Sequence, residues 1–266
     1  MARSWDTHTH AFGPVERFPP AAERGYDPPP VRSQDAIDQA LAAGLDGLVW
    51  VHASIYGFDN RVTFAALAEH KERSRAIVMP PQTVDPAELD RWHALGVRGL
   101  RLNLLSKGGN GLSTLLPFGS EMKRLGWHVA AFMDGGDAAA LDAVCGAFEV
   151  PVLIEHFGNM GKQRAVEPES WAPMLRWMRT GRLWCKLSAP YHSADDAPDY
   201  QSLLPLLRAM AEAGADQLVC GSNWPHIGHP AAPSTSDMRA VLDRLAHSAG
   251  LDRQALWAGN AGRLYA

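Results

Sequence analysis

Only three cysteines occur, Cys145, Cys185 and Cys220, and none belongs to a C-x-x-C pair. That excludes a disulfide-stapled mini-domain and predicts reduced thiols in a cytoplasmic protein. No apolar run reaches the roughly 18 residues of a membrane span; even the stretch 203–215 is cut by Arg208 and Glu212. The opening residues Met1-Ala-Arg-Ser-Trp-Asp-Thr-His8 lack the apolar core of a secretory signal. Neither sign of charge dominates, with 25 Lys and Arg against 29 Asp and Glu. No nucleic-acid partner and no membrane surface is therefore expected. The Gly108–Gly111 run is not followed by the Gly-Lys-Ser/Thr of a phosphate-cradling loop. Linkers, low-complexity tracts and solenoid periods are absent too, which leaves residues 1–266 as one domain.

What is present is a chain with 46% apolar residues, rich enough in Leu, Val and Trp for a large core. Its 266 residues match a (β/α)8 barrel, typically about 250 residues. Strand-like segments are expected at 4–10, 47–53, 75–80, 97–104, 128–133, 151–157, 183–188 and 217–222. Runs such as Leu48-Val-Trp-Val51 are apolar throughout, as in a parallel sheet covered by helices. Helical segments are expected between them, at 34–43, 61–73, 85–96, 113–125, 137–147, 169–179, 200–213, 236–248 and 252–265. Asp85-Pro-Ala-Glu88 supplies a capping carboxylate, a proline at the first helical position and a glutamate at the third. Eight strand–helix units favour a closed barrel over an open sheet, and the proline-rich segment 18–30 reads as a loop over its mouth.

Barrel enzymes carry their chemistry at the carboxyl ends of the strands. The first strand ends Asp6-Thr-His8-Thr-His10, and alternate side chains of a strand share a face. Two imidazoles about 6–7 Å apart can chelate a metal, or polarise a carbonyl and move a proton. His156 at the end of the sixth strand makes a third imidazole, and Asn223 at the end of the eighth faces the same centre, with His226 in the loop beyond. Arg101 and Asn103 share a face of the fourth strand. The guanidinium either grips a substrate carboxylate or forms an ion pair inside the barrel. His52 and Ser54 end the second strand, and Lys186 and Ser188 the seventh. Tyr56, Lys107, Asn159, Tyr191 and His192 in the following loops complete the candidate pocket.

The run Asp6-Thr-His-Thr-His-Ala-Phe-Gly-Pro14 resembles the first-strand signature of the amidohydrolase superfamily. More narrowly it is similar to the branch typified by 2-pyrone-4,6-dicarboxylate lactonase. His52-Ala-Ser-Ile-Tyr-Gly, Arg98-Gly-Leu-Arg-Leu-Asn103, Glu155-His-Phe-Gly158 and Gly221-Ser-Asn-Trp-Pro-His226 extend the likeness along the chain. The resemblance implies a distorted TIM barrel that acts on a small-molecule lactone or carboxylic acid. Typical superfamily members hold one or two divalent metals, whereas this branch works without one. No cofactor is therefore expected; zinc or manganese, if bound, would sit on His8, His10 and His156.

Two departures from the branch pattern bear on the reaction. The eighth-strand Asp that the branch uses to activate water is Asn223 here, and a carboxamide has no useful basicity. A histidine then takes the proton, or the reaction is lactone isomerisation, with the substrate's own hydroxyl as nucleophile, or Asn223 is an engineered replacement. Arg101 matches one of the branch's carboxylate-gripping arginines, but the others correspond to Lys107, Asn159 and His192, which suits a substrate with one carboxylate or a more hydroxylated one. A lactone hydrolase is the first expectation, with His8, His10 and His156 polarising the carbonyl and Asn223 orienting the nucleophile. A lactone isomerase, a metal-dependent decarboxylase on the same barrel and a non-catalytic acid-binding barrel are the alternatives.

Overall fold

The computed structural model describes residues 2–229 and 233–266. Eight strands run through it: β1 (Trp5–Thr9), β2 (Gly47–Val51), β3 (Ser74–Val78), β4 (Val97–Asn103), β5 (His128–Phe132), β6 (Val152–Ile154), β7 (Leu183–Leu187) and β8 (Leu218–Cys220). They pair in sequence order, and every pairing is parallel. Helices fill the connections, so the chain is a distorted (β/α)8 barrel, as the alternation of elements predicts.

The barrel nearly closes. β8 and β1 share no regular ladder, but the chain just beyond β8 is stitched to β1 by backbone bonds. Asn223 N–H donates to the His8 carbonyl at 2.9 Å and His10 N–H to the Trp224 carbonyl at 3.0 Å. The Asp6 carboxylate accepts from the backbone N–H of Ser222 at 2.8 Å and of His8 at 3.1 Å. A Cβ at Gly221 would stand 2.7 Å from both Cβ and N of His8, so only glycine permits this seam. The seam therefore fixes His8, His10 and Asn223 relative to one another.

Side chains alternate between two apolar layers. Leu48 and Trp50 of β2 pack outward with the helices, while Val49 and Val51 join Ile77, Leu153, Trp184 and Val219 inside the barrel. Leu264 and Tyr265 of the last helix belong to that inner cluster. All three cysteines are buried and free. Among the described residues no helix is long and apolar enough to cross a membrane.

Prolines account for most differences from the expected helices. The segment expected at 113–125 divides into Leu112–Leu115, a 3-10 turn at Leu116–Phe118 and Gly119–Leu125, with Pro117 at the break. Pro173 and Pro205 likewise occupy the starts of helices Ala172–Met178 and Leu204–Gly214, each preceded by a 3-10 turn. The Asp85 cap forms as expected, accepting from Ala87 N–H at 2.7 Å. The first helix begins at Ser33, where Asp35 accepts the Arg32 backbone N–H at 2.9 Å.

Candidate active site at the barrel mouth

A cavity of about 160 Å³ opens at the carboxyl ends of the strands. Of the residues proposed from sequence, His10, Ser54, Arg101, His156, His192 and Asn223 line it. Tyr26, Ser106, Phe132 and Ile227 line it as well. Tyr26 arrives from the proline-rich segment 18–30, which thus delivers a side chain into the mouth.

The imidazoles converge. The His8 ring lies 4.9 Å from His10 and 4.7 Å from His156, centroid to centroid, and His192 is 5.3 Å from His156. His8 itself is fully buried and does not line the cavity; it forms the floor beneath the other two. His8 precedes His10 by two residues and so sits deeper in the barrel than the two rings that line the cavity.

Hydrogen bonds set the proton positions. Nδ1 of His10 lies 2.8 Å from the Val51 carbonyl, which can only accept. His10 therefore donates from Nδ1 and keeps Nε2 as a bare acceptor. Nδ1 of His156 is 2.9 Å from the Ser188 hydroxyl. Burial, then the Arg101 charge, lowers His10 to about 3, and burial lowers His192 to about 4. Burial followed by neighbouring positive charge drives His8 and His156 well below the ordinary imidazole value. All of these rings are neutral at physiological pH.

Beneath them lies a buried charge cluster. Arg101 donates from NH2 to Glu155 at 3.2 Å and from NH1 to the His52 carbonyl. The ion-pair alternative for Arg101 is thus realised, while its buried Nε–H has no protein partner among the described residues. Lys186 Nζ stands 3.1 Å from His8 Nδ1 and 4.0 Å from Glu155. Burial lowers this ammonium to about 8, so it stays largely charged at neutral pH. Burial also raises Asp6 to about 6.

Among the described residues the compact donor group for a metal is His8, Glu155 and His156, whose ligand atoms lie within 4.8 Å of one another. It differs from the expected His8–His10–His156 set in that Glu155, beside His8, takes the place of His10. A divalent ion fits these donors poorly. The Lys186 ammonium already faces two of them, and the Arg101 guanidinium faces Glu155, so a further cation would meet two fixed positive charges in a low-dielectric interior.

Asn223 donates from Nδ2 to the Tyr191 hydroxyl at 2.8 Å, and that hydroxyl lies 3.0 Å from Nδ1 of His226. Tyr191 and His226 therefore hold Asn223 from behind rather than lining the cavity. Backbone strain concentrates here. His156 (φ 53°), Ala189 (φ 44°), Asn223 (φ 69°) and His226 (φ 60°) all adopt left-handed conformations that non-glycine residues seldom occupy. Each follows β6, β7 or β8, where the chain bends to aim side chains at the mouth.

The remaining sequence candidates fall outside the cavity. Asn103 uses its amide oxygen to hold the backbone of Leu105 and Ser106, at 3.3 and 3.0 Å. Lys107 is exposed, and Asn159 is half-buried in a left-handed turn. Tyr56 packs beside Phe12 and His52, and His52 is fixed by Thr63 and the Gly57 carbonyl. Glu155 and Lys186 gain their importance from each other, a pairing across neighbouring strands that spacing along the chain does not reveal.

The amidohydrolase family model matches residues 5–266. The chain is 29% identical over 268 residues to a 4-sulfomuconolactone hydrolase of Hydrogenophaga intermedia, covering 98% of this chain and 88% of that one. It is 30% identical over 237 residues to a 2-pyrone-4,6-dicarboxylate hydrolase of Comamonas testosteroni, covering 83% and 76%. Among solved structures, a Pseudomonas putida protein provisionally assigned as a 2-pyrone-4,6-dicarboxylic acid hydrolase superposes with a TM-score of 0.84 at 29% identity, covering 99% of this chain and 97% of that one.

Proposed function

Because the chain belongs to the amidohydrolase family, we propose that it is a lactone hydrolase that opens a carboxylate-bearing cyclic ester at the barrel mouth without a bound metal. The observation that carries this reading is the meeting of His10, His156, Arg101 and Asn223 around one small cavity, above a floor charged by Lys186. The relatives named as lactone hydrolases support the ester chemistry.

The roles follow from donors and acceptors. Arg101 has N–H groups left over after Glu155 and the His52 carbonyl, and these receive the substrate carboxylate. Ser188 can donate its hydroxyl proton to Nδ1 of His156, which leaves Nε2–H of His156 to bind the ring carbonyl oxygen. A donor placed where negative charge develops commonly contributes about 3–4 kcal/mol to the transition state. Asn223 orients the attacking water, and Nε2 of His10 accepts its proton. The bound carboxylate offsets the Arg101 charge and so raises the basicity of His10 during turnover. Water oxygen bonds to the acyl carbon, the ring C–O bond breaks, and the leaving alkoxide takes the proton back from His10. The product is an open-chain hydroxy acid.

The test is turnover of a panel of carboxylate-bearing lactones in ¹⁸O-labelled water, followed by proton NMR and mass spectrometry. Hydrolysis gives a labelled open-chain acid. Absence of turnover across the panel, with or without added zinc or manganese, removes the hydrolase. Asn223 itself favours one other reading, lactone isomerisation, because attack by an internal hydroxyl needs orientation more than an activated water. An unlabelled new lactone in the same experiment would assign that reaction.

A further inference from the structure

Lys186, Glu155 and His8 form a closed triangle inside the barrel. Nζ lies 3.1 Å from His8 Nδ1, Nδ1 lies 3.6 Å from Glu155 Oε1, and Oε1 lies 4.0 Å from Nζ. The side chains of all three are 0% exposed. We propose that Lys186 is a positioning residue: its ammonium donates to Nδ1 of His8, holds that imidazole in its Nε2–H tautomer, and places a fixed positive charge where the donors would otherwise gather a divalent cation.

The geometry decides between the two tautomers. An ammonium has three donors and no lone pair, so at 3.1 Å the ring nitrogen must be the acceptor. The competing arrangement puts the proton on Nδ1 and gives it to Glu155, but 3.6 Å is too long for that bond. The proton therefore resides on Nε2, which is buried and has no protein partner among the described residues. A buried N–H left open in a ring that touches both His10 and His156 is a donor kept ready for charge that arrives above it.

The consequence is a division of labour within the imidazole cluster. His10 faces the cavity with a lone pair, whereas His8 offers an N–H backed by a cation. Lys186 supplies beneath the ring the positive charge that a bound metal would supply beside it. Glu155 keeps that cation in place and is itself shared with Arg101, so two cations face one carboxylate there. The effect on rate rests on the proposed ring-opening reaction; the tautomer and the exclusion of metal do not.

The experiment is long-range ¹H–¹⁵N correlation spectroscopy of the histidine rings in the full-length protein, paired with zinc binding by equilibrium dialysis. In the wild type, His8 is expected to show an unprotonated Nδ1 and a protonated Nε2, and zinc is not retained stoichiometrically. Lys186→Met removes the donor and the charge at similar volume. It is expected to lose the fixed tautomer and to bind zinc at least tenfold more tightly, while Lys186→Arg retains the wild-type ring signature. With a turned-over lactone, Lys186→Met lowers kcat at least tenfold with KM changed less than twofold. A protonated Nδ1 in the wild type overturns the proposal without any variant, as does one tightly held zinc per chain. An unchanged His8 signature in a folded Lys186→Met protein overturns it equally. Failure to find a substrate leaves the spectroscopic and zinc results to decide, so it bears on the ring-opening reading alone.

Discussion

The Asn223 amide nitrogen donates to the Tyr191 hydroxyl at 2.8 Å, from a backbone with φ of 69°. Its other amide atom, the oxygen, is then the group left for the cavity that Asn223 lines. An acceptor there orients a water or hydroxyl proton but cannot remove it.

A carboxylate at this position supplies a second base beside His10. Asn223→Asp keeps the size of the side chain, and the Tyr191 hydroxyl can donate to it. Hydrolysis of a lactone substrate is expected to rise by roughly 10² in kcat, the usual contribution of a positioned base. Initial rates under saturating lactone check this, and a fall in rate would show that the amide is needed as it stands.

Removing His156 probes the carbonyl-binding donor. His156→Ala is expected to lower kcat by about 10²–10³ with little change in KM, as for loss of one oxyanion donor. A change confined to KM would place His156 in ground-state binding instead.

Arg101 ties stability to binding. Arg101→Met leaves the buried Glu155 short of one cation, which costs about 3–5 kcal/mol for a broken buried pair. Thermal melting is expected to show a clear loss of stability, and KM for an anionic lactone is expected to rise tenfold or more. An unchanged melting temperature would mean that Lys186 alone satisfies Glu155.

The buried imidazoles make the fold acid-sensitive. Burial holds His10 and His128 at about 3, and His52 and His226 at about 4, against 6.5 in the unfolded chain. Below pH 6.5 the unfolded state binds more protons at these sites, so their contribution is complete above 6.5 and is lost as the pH falls toward 4. Asp6, raised to about 6 from 3.8, acts in the opposite sense, its contribution being lost as the pH rises through 6. Four histidines outweigh one aspartate, and the melting temperature is expected to fall between pH 7 and pH 4.5. A rise over that interval would contradict the burial of these rings.

Much of the barrel was legible because parallel strands read as short apolar runs between capped amphipathic segments; all eight strands lie within a few residues of expectation. β6 and β8 are shorter than their apolar runs suggest, since the chain leaves the ladder to aim His156 and Asn223. The lining of the cavity was legible near strand ends, as for His10, Arg101 and His156. Alternation brought His8 and His10 to one face, 4.9 Å apart, but not the depth at which His8 sits. Tyr26 and Ile227 come from loops whose path depends on the whole mouth. Asn103, Lys107 and Asn159 sit at the right places in sequence, but local turns direct them elsewhere.

The most direct measurement is a crystal structure of the protein with a slowly turned-over, carboxylate-bearing lactone. The account predicts the ring carbonyl within hydrogen-bond reach of His156, the carboxylate against Arg101, and a water or ring hydroxyl between Asn223 and Nε2 of His10. A lactone bound in this cavity with its carbonyl turned away from His156, or bound only on the outer helices, would contradict it.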